Sequence, residues 1–444
     1  MDIKHRDYVG IVSGDAAFWA LVKSGQLDKV FTDPACLREY RKKRKTFIDE
    51  IKKLRFGLIP SAVYFNPTDR CNLNCSYCYI PEKIRKNGRD MSARKLEEAL
   101  SILKNYFKTT LPKGQKPEIV FHGAEPMLNQ KNVFGVIEKF RDDFRFGIQT
   151  NGTLFDKEAL SFLTSRGINI GLSLDGHIPR VADGMRKTWG GEGVSKKVVE
   201  IIKLLKGYDN FSVICTVTKS NMRSLKKITA YLHDLGVSNC LLNPVRCTLQ
   251  KARESKPKDH EMSKYYLEAL DHTYELYRKT GRKLVIANFA NILISIMAPA
   301  ARRLMCDISP CGGGRCFFAV SANGDLFPCS EFIGIKKFKG GNLFKDNIAD
   351  VLKSRSFALV TDRKIESIRS CSQCAIRHFC GSPCPAEAHE MHGSMNKPGA
   401  FCELYEEQVR YALRLIADKK ENAYLWNDWD KGMYTNLEIT ELNA

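Results

Sequence analysis

Between residues 61 and 245 two periodicities take turns, and no other feature of the chain restricts its fold as strongly. Apolar runs of strand length, "SAVYFNP" (61–67), "PEIVFHG" (117–123), "FRFGIQT" (144–150), "INIGLSLD" (168–175), "FSVICTVT" (211–218) and "NCLLNPV" (239–245), alternate with stretches of helical periodicity at 92–107, 132–143, 156–166, 194–208 and 224–235. Strands separated by helices pair in parallel through crossovers, and these are right-handed because a right-twisted strand must feed a helix that packs back on the sheet. Six such strands predict an α/β fold whose parallel sheet curls into a full or partial barrel. Its functional residues should gather on the loops at the C-terminal strand ends.

Four short motifs fall on such ends. "CNLNCSYC" (71–78) follows the first strand, "GAEPM" (123–127) the second, "TNG" (150–152) the third and "DG" (175–176) the fourth. Residues distant in sequence should therefore meet in space. A chain of 444 residues is too long for one core, and the alternation covers only its middle. The expected parts are an N-terminal helical segment (1–60), the barrel (61–250), a helical linker (251–305) with a polar start at 246–261, a cysteine-rich domain (306–405), and a C-terminal helix and tail (406–444). The longest apolar run, 284–301, is broken by Asn288, Asn291 and Ser295, which share one helical face, and then by Pro299, so it predicts a packed helix and no membrane span. The N-terminus has no basic stretch followed by an apolar run and a cleavage site, which points to a reducing, cytoplasmic setting for the thiols.

There are 16 cysteines. Five of them, Cys36, Cys215, Cys240, Cys247 and Cys306, stand where a small buried hydrophobe would serve. The other eleven form two groups: Cys71, Cys75 and Cys78, and then Cys311, Cys316, Cys329, Cys371, Cys374, Cys380, Cys384 and Cys402. "CSQC" (371–374) alone would suit a zinc knuckle. The first group argues against zinc, because three close thiolates without a fourth suit an iron–sulfur cubane with one iron open, whereas a structural zinc site is closed. Eight further cysteines are enough for two four-thiolate sites.

The Cys-x3-Cys-x2-Cys loop with Tyr77 before its last thiol resembles the signature of the radical S-adenosylmethionine (SAM) enzymes, and "GAEP" resembles their Gly-Gly-Glu-Pro motif. The run from Cys371 to Cys402, with "CGGGRCFFAVSANGDLFPC" (311–329) upstream, resembles the SPASM auxiliary-cluster domain of anaerobic sulfatase-maturating enzymes and of maturases of ribosomally made peptides. The resemblance spans roughly residues 60–405 and implies a partial (β/α)6 TIM-like barrel with a C-terminal cysteine-rich iron–sulfur (SPASM) domain. It implies a 4Fe–4S cluster on Cys71, Cys75 and Cys78 whose open iron chelates SAM, and reductive cleavage to a 5'-deoxyadenosyl radical that takes hydrogen from substrate. By the same resemblance Glu125 accepts from the cofactor's amino group, Ser173 and Arg186 hold its carboxylate, Gly123 lets backbone approach it, and Tyr77 lies beside the adenine. Two auxiliary 4Fe–4S clusters complete the set of three that the resemblance implies, one on Cys311, Cys316, Cys329 and Cys384, with Cys306 as an alternative to Cys311 or Cys316, the other on Cys371, Cys374, Cys380 and Cys402.

In sulfatase maturases the pattern has an Asp base directly after the cysteine matching Cys329, where this chain has Ser330 and then Glu331. That departure shifts the expectation to a peptide maturase forming a crosslink or another side-chain oxidation, with Glu331 as candidate base. Sulfatase (formylglycine) maturation is the alternative; a non-enzymatic iron–sulfur or zinc protein would leave "GAEP" without a use. His122 reads as a satisfied pocket histidine, and His378, His389 and His392 as surface residues. The net charge of +20 counts thiols as neutral; eleven thiolates around three cores of about +2 each would bring it to roughly +15. Its densest patch, "REYRKKRK" (38–45), lies in a helix opened by Asp33 as N-cap and Pro34, and suits a solvated face, an anionic peptide or a redox partner better than nucleic acid. The expected partners are a precursor peptide and an external electron donor such as flavodoxin or ferredoxin. Leader binding would fall to this helix or to a separate protein, since 1–60 is short for a winged-helix module.

Overall fold

A computed structural model describes residues 1–298, 302–304, 306, 308–380 and 384–429. The chain divides into two compact units. The unit formed by Ile59–Pro257 and Gly313–Arg363 contains the alternating region. Its six expected strands are Ala62–Phe65, Glu118–Phe121, Arg145–Thr150, Asn169–Ser173, Phe211–Val217 and Asn239–Pro244, paired in sequence order and parallel throughout. Helices Ala93–Thr110, Gln130–Phe140, Lys157–Ser165, Ser195–Leu204 and Leu225–Asp234 fill the gaps between them. Two start where the sequence offers a cap: the Ser92 hydroxyl accepts from the Lys95 N–H, and the Asp156 carboxylate from the Ala159 N–H at 2.7 Å.

The inward faces of these strands make the core. Phe211–Val217 alternates buried and half-buried residues, and Phe65, Ile119, Phe121, Leu172 and Val213 are fully buried. Phe121 stands between neighbours on both sides, its ring 6.0 Å from that of Phe65 and 5.9 Å from that of Phe146, so adjacent strands lock through aromatic pairs. The first strand is not left as an open edge. Phe317–Val320 pairs parallel to it, Phe317 opposite Ala62, and continues antiparallel into Asp325–Phe327 and Gly341–Asn342.

The second unit comprises Met1–Leu58, Lys258–Gly312 and Lys364–Ala444. Its N-terminal stretch corrects the expectation of a helical segment: strands Tyr8–Ser13 and Phe18–Lys23 form a hairpin before the helix begins. Phe18–Val22 is buried without a break, and an apolar run lacking alternation reads equally well as strand or buried helix until its partners are known. Trp19 finds its partner across the unit, donating to the Ile296 carbonyl at 2.6 Å. The basic helix follows as Pro34–Phe56, with the Asp33 carboxylate accepting from the N–H groups of Ala35 and Cys36 at 2.6 and 3.0 Å.

The stretch expected as a polar linker contains the short helix Gln250–Glu254 and the start of helix Asp259–Thr280. Asp259 is no linker residue: its carboxylate accepts from the N–H groups of Glu403 and Leu404, both at 3.0 Å, and caps helix Cys402–Ala417. The apolar run forms helix Ala287–Met297, buried on all sides, and no described helix is long and apolar enough to cross a membrane. Its buried Asn291 accepts from the N–H groups of Arg303 and Leu304, which explains the polar residue in that position. Pro299, and 430–444 of the expected C-terminal tail, lie outside the described residues.

Candidate active site at the C-terminal strand ends

Cys71, Cys75 and Cys78 sit half-buried on the loop after the first strand. Several unrelated segments hold that loop. Its backbone donates from Asn74 to the Lys187 carbonyl at 2.7 Å and from Ser76 to the Met185 carbonyl at 3.0 Å. The Cys71 carbonyl accepts from the Trp189 indole at 2.8 Å. Arg85, buried in the short helix Glu82–Asn87, donates to the carbonyls of Ile80 and Leu73, both at 2.9 Å, and to Asn74 Oδ1 at 3.1 Å, while its guanidinium lies 5.2 Å from the Trp189 ring centre. No motif pointed to Arg85 or Trp189; their function exists only once the loop is folded.

Burial, and then the Glu125 carboxylate, push the Cys71 thiol up to about 12; burial pushes Cys78 up to about 11 and raises Cys75 as well. Thiols so placed give up their protons only to a cationic group, and three of them with no fourth fit an iron–sulfur cluster with an open iron. Among the described residues no group of three His, Cys, Asp or Glu side chains closes around a single metal ion.

Glu125, from "GAEP", is completely buried. Its Oε1 accepts from Thr150 Oγ1 at 2.7 Å and from the Met127 N–H at 3.1 Å, and its Oε2 from the Asn151 N–H at 2.8 Å. A carboxylate has about four acceptor positions, so one on Oε2 remains. Burial raises the Glu125 pKa and the three donors oppose that rise. Thr150 and Asn151 belong to "TNG", and Asn151 Nδ2 also donates to Asn72 Oδ1 in the cysteine loop at 2.8 Å. Motifs two and three thus meet motif one, as expected. Gly123 has φ +104°, and a Cβ there would come 2.3 Å from Asn66 Cγ, so only glycine fits.

At the end of the fourth strand Ser173 is half-buried and Asp175 fully buried. Tyr77 donates to Asp175 Oδ2 at 2.5 Å and accepts from Arg186 Nη1 at 2.6 Å, and Arg186 lies 3.5 Å from the same carboxylate. Asp175 Oδ1 accepts from the Thr216 N–H at 2.7 Å and its carbonyl from Asn221 at 2.9 Å. Tyr77 and Arg186 are thus tied to each other through Asp175, which sequence reasoning had noted only as part of "DG". The buried Arg186 Nε has no hydrogen-bond partner and stays available to an anion.

Beside the first two strand ends a pocket is lined by Asn66, Asp69, Tyr79, Pro81, Ala124 and Glu331. Glu331 enters it from the short turn Ser330–Phe332 that follows Cys329, its N–H donating to Cys329 Sγ at 3.4 Å. Burial first, and then the Glu331 charge, hold the Tyr79 phenol protonated. His122 departs from the satisfied histidine expected: its buried Nδ1 has no partner, and burial pulls its pKa down to about 4.

The remaining cysteines are placed as follows. Cys316 is buried and Cys329 half-buried in the barrel unit. Cys311, Cys371, Cys374, Cys380, Cys384 and Cys402 belong to the second unit. Cys402 is exposed as a residue, yet partial desolvation of its thiol, followed by the charges of Cys371, Asp259 and Cys374, pushes that thiol up to about 11. Cys36, Cys215, Cys240 and Cys247 are buried as expected, but Cys306 is exposed, since the neighbours and not the small side chain decide burial. His378, read as a surface residue, is 3% exposed with neither ring nitrogen partnered; the apolar Ile376 and Phe379 beside it carry the segment inward.

A parallel βα sheet with three thiols at its strand ends and a buried glutamate beside them defines a class, and comparison with known proteins agrees. Residues 65–232 match the Radical SAM superfamily and residues 311–375 the SPASM iron-sulfur cluster-binding domain. The chain belongs to the radical SAM superfamily and carries a SPASM domain. An uncharacterised protein of Archaeoglobus fulgidus is 37% identical over 403 residues, 91% of either chain. The cysteine-type anaerobic sulfatase-maturating enzyme of Clostridium perfringens is 25% identical over 363 residues, 78% of this chain and 94% of that enzyme. The antilisterial bacteriocin subtilosin biosynthesis protein AlbA of Bacillus subtilis is 28% identical over 302 residues, 67% of this chain and 60% of AlbA. Among solved structures, native anSMEcpe with bound AdoMet covers 82% of this chain and is itself covered completely (100%), with a TM-score of 0.71 at 23% identity, a likeness of fold.

Proposed function

We propose that this radical SAM/SPASM enzyme modifies a ribosomally made peptide in the cytoplasm, forming a crosslink or another side-chain oxidation. When bound, SAM and a 4Fe–4S cluster on Cys71, Cys75 and Cys78 supply a 5'-deoxyadenosyl radical for hydrogen abstraction. The chain's own groups do the rest. Glu125 offers its remaining acceptor to the cofactor's ammonium, and Arg186 Nε, with Ser173, faces its carboxylate. Tyr77, held by Asp175, flanks the adenine, and Gly123 contributes backbone only. The two auxiliary 4Fe–4S clusters keep the ligand sets expected above, three clusters in all.

The observation that carries the choice of substrate is the "Cys329-Ser330-Glu331" turn. The Glu331 carboxylate, which lines the pocket together with Asp69, comes one residue later, and on a longer side chain, than the maturase aspartate, so a proton acceptor is present but set differently. The AlbA relative, named for bacteriocin biosynthesis, supports a peptide substrate. The test is to incubate reconstituted holoenzyme, SAM and reductant with deuterated candidate precursor peptides and with a sulfatase-derived Cys or Ser peptide. Expected are deuterium in 5'-deoxyadenosine and loss of a pair of hydrogens from the precursor, with little change in the sulfatase peptide. Formylglycine in the sulfatase peptide would instead assign sulfatase maturation, which the Clostridium perfringens relative favours.

A further inference from the structure

The helix Pro34–Phe56 sorts its residues sharply. Cys36, Phe47, Ile51 and Leu54 are buried, and at 100° per residue they share one face. The opposite face carries Arg38, Arg41, Lys42, Lys45, Lys52 and Lys53, all exposed, with Asp49 as the single acid among them. Among the described residues no acid pairs with Arg38, Arg41, Lys42, Lys45 or Lys52, whereas the flanking Lys43 and Arg44 are paired, with Glu39 at 3.4 Å and Asp15 at 2.8 Å. Phe56, 64% exposed, ends the helix on the cationic side.

Within the same unit two chains of contact lead from this helix to the cysteines of the second auxiliary set. Arg44 holds Asp15 at the hairpin turn, and a Cβ on the adjacent Gly14 would lie 3.1 Å from the Cys374 carbonyl. Arg55 grips Glu366 with both nitrogens at 2.8 and 2.9 Å, five positions before Cys371 in the sequence. The sulfur set itself reaches the surface, with Cys402 exposed and Cys371 and Cys374 half-exposed.

We propose that the cationic face of Pro34–Phe56 docks an acidic one-electron carrier, a flavin or iron–sulfur protein, which passes its electron to the centre on Cys371, Cys374, Cys380 and Cys402. The carrier loses one electron and the centre gains it; no bond or proton changes place. The inference rests on the proposed second auxiliary cluster. Electron transfer falls steeply with distance, so a carrier must bind beside a surface-exposed centre, a demand that neither a leader peptide nor a nucleic acid makes. Transient redox encounters bury less than about 1,200 Å², an area that suits a helix about 34 Å long, and opposite charge steers them.

The test uses full-length anaerobic holoenzyme and a bacterial flavodoxin reduced to its hydroquinone, with flavin oxidation followed by stopped flow at low and high salt. In the Arg41→Glu, Lys42→Glu, Lys45→Glu variant the low-salt rate should fall by about tenfold or more and lose its salt dependence. Iron content and reduction by dithionite, which is small and needs no docking, should match wild type. A variant that oxidises flavodoxin at the wild-type rate with the wild-type salt response would overturn the proposal. So would unchanged flavodoxin kinetics alongside lost binding of a labelled polyglutamate peptide or DNA oligonucleotide, which would assign the face to those partners. A wild-type holoenzyme that dithionite cannot reduce would overturn the iron–sulfur assignment, and the proposal with it.

Discussion

Glu125 shows how much one residue can hold at this site. Its three donors come from Met127, Thr150 and Asn151, so one buried carboxylate ties the second strand end to the third. Replacing Glu125 with Gln turns an NH2 group towards donors that need an acceptor. The expected cost is about 1–3 kcal/mol of stability, read as a lower denaturation midpoint, with SAM affinity reduced about tenfold or more by calorimetry. Unchanged SAM affinity would detach Glu125 from the cofactor and leave it a structural cap. Glu125, the three loop cysteines and Gly123 were visible in the sequence because their chemistry is intrinsic to residue type and spacing. Asp175 and Arg85 were not. A buried aspartate or arginine acquires its meaning from the groups folding brings to it, here Tyr77 and Arg186 for one and the carbonyls of Leu73 and Ile80 for the other.

Elements with an intrinsic signal were legible nearly to their ends. The basic helix starts at the expected cap, and Asp33→Ala should cost about 1 kcal/mol, seen as a lower urea midpoint with m unchanged. Asp33→Asn, which keeps the capping oxygen, should restore most of it. The six strands appear within a few residues of their expected bounds because apolar runs of strand length and the crossover helices between them agree. The N-terminal hairpin was missed for the opposite reason. "FWALV" is apolar throughout, and its burial is decided by partners such as Ile296, distant in sequence. The 246–261 stretch looked like a linker because Asp259 reads as an exposed acid until helix Cys402–Ala417 arrives to be capped.

For the whole molecule the ligand count makes a direct prediction. Reconstituted protein should hold about twelve irons per chain, and the variant with Cys71, Cys75 and Cys78 replaced by Ala about eight, with no cleavage of SAM. Iron analysis alongside 5'-deoxyadenosine production checks both, and full cleavage by the variant would sink the assignment of the open cluster. The compact units do not follow the linear order of the chain. Residues 313–363, within the cysteine-rich region, complete the barrel unit, where Phe317–Val320 covers the edge of its first strand, whereas 1–58 share a unit with 258–312 and 364–444. Alone, the sequence determined the class of the protein: alternating periodicity dictates a parallel α/β sheet, and thiol spacing dictates the chemistry, because both are local properties of the chain. Only the tertiary structure decided that Glu331 lines the pocket, which arginine staples the cysteine loop and which cations of helix Pro34–Phe56 stand without an acid partner. Those outcomes depend on desolvation and on which groups folding brings together, whether 12 positions apart, as Arg85 and Leu73 are, or far apart in sequence, as Glu331 and Asn66 are, and no local pattern encodes them.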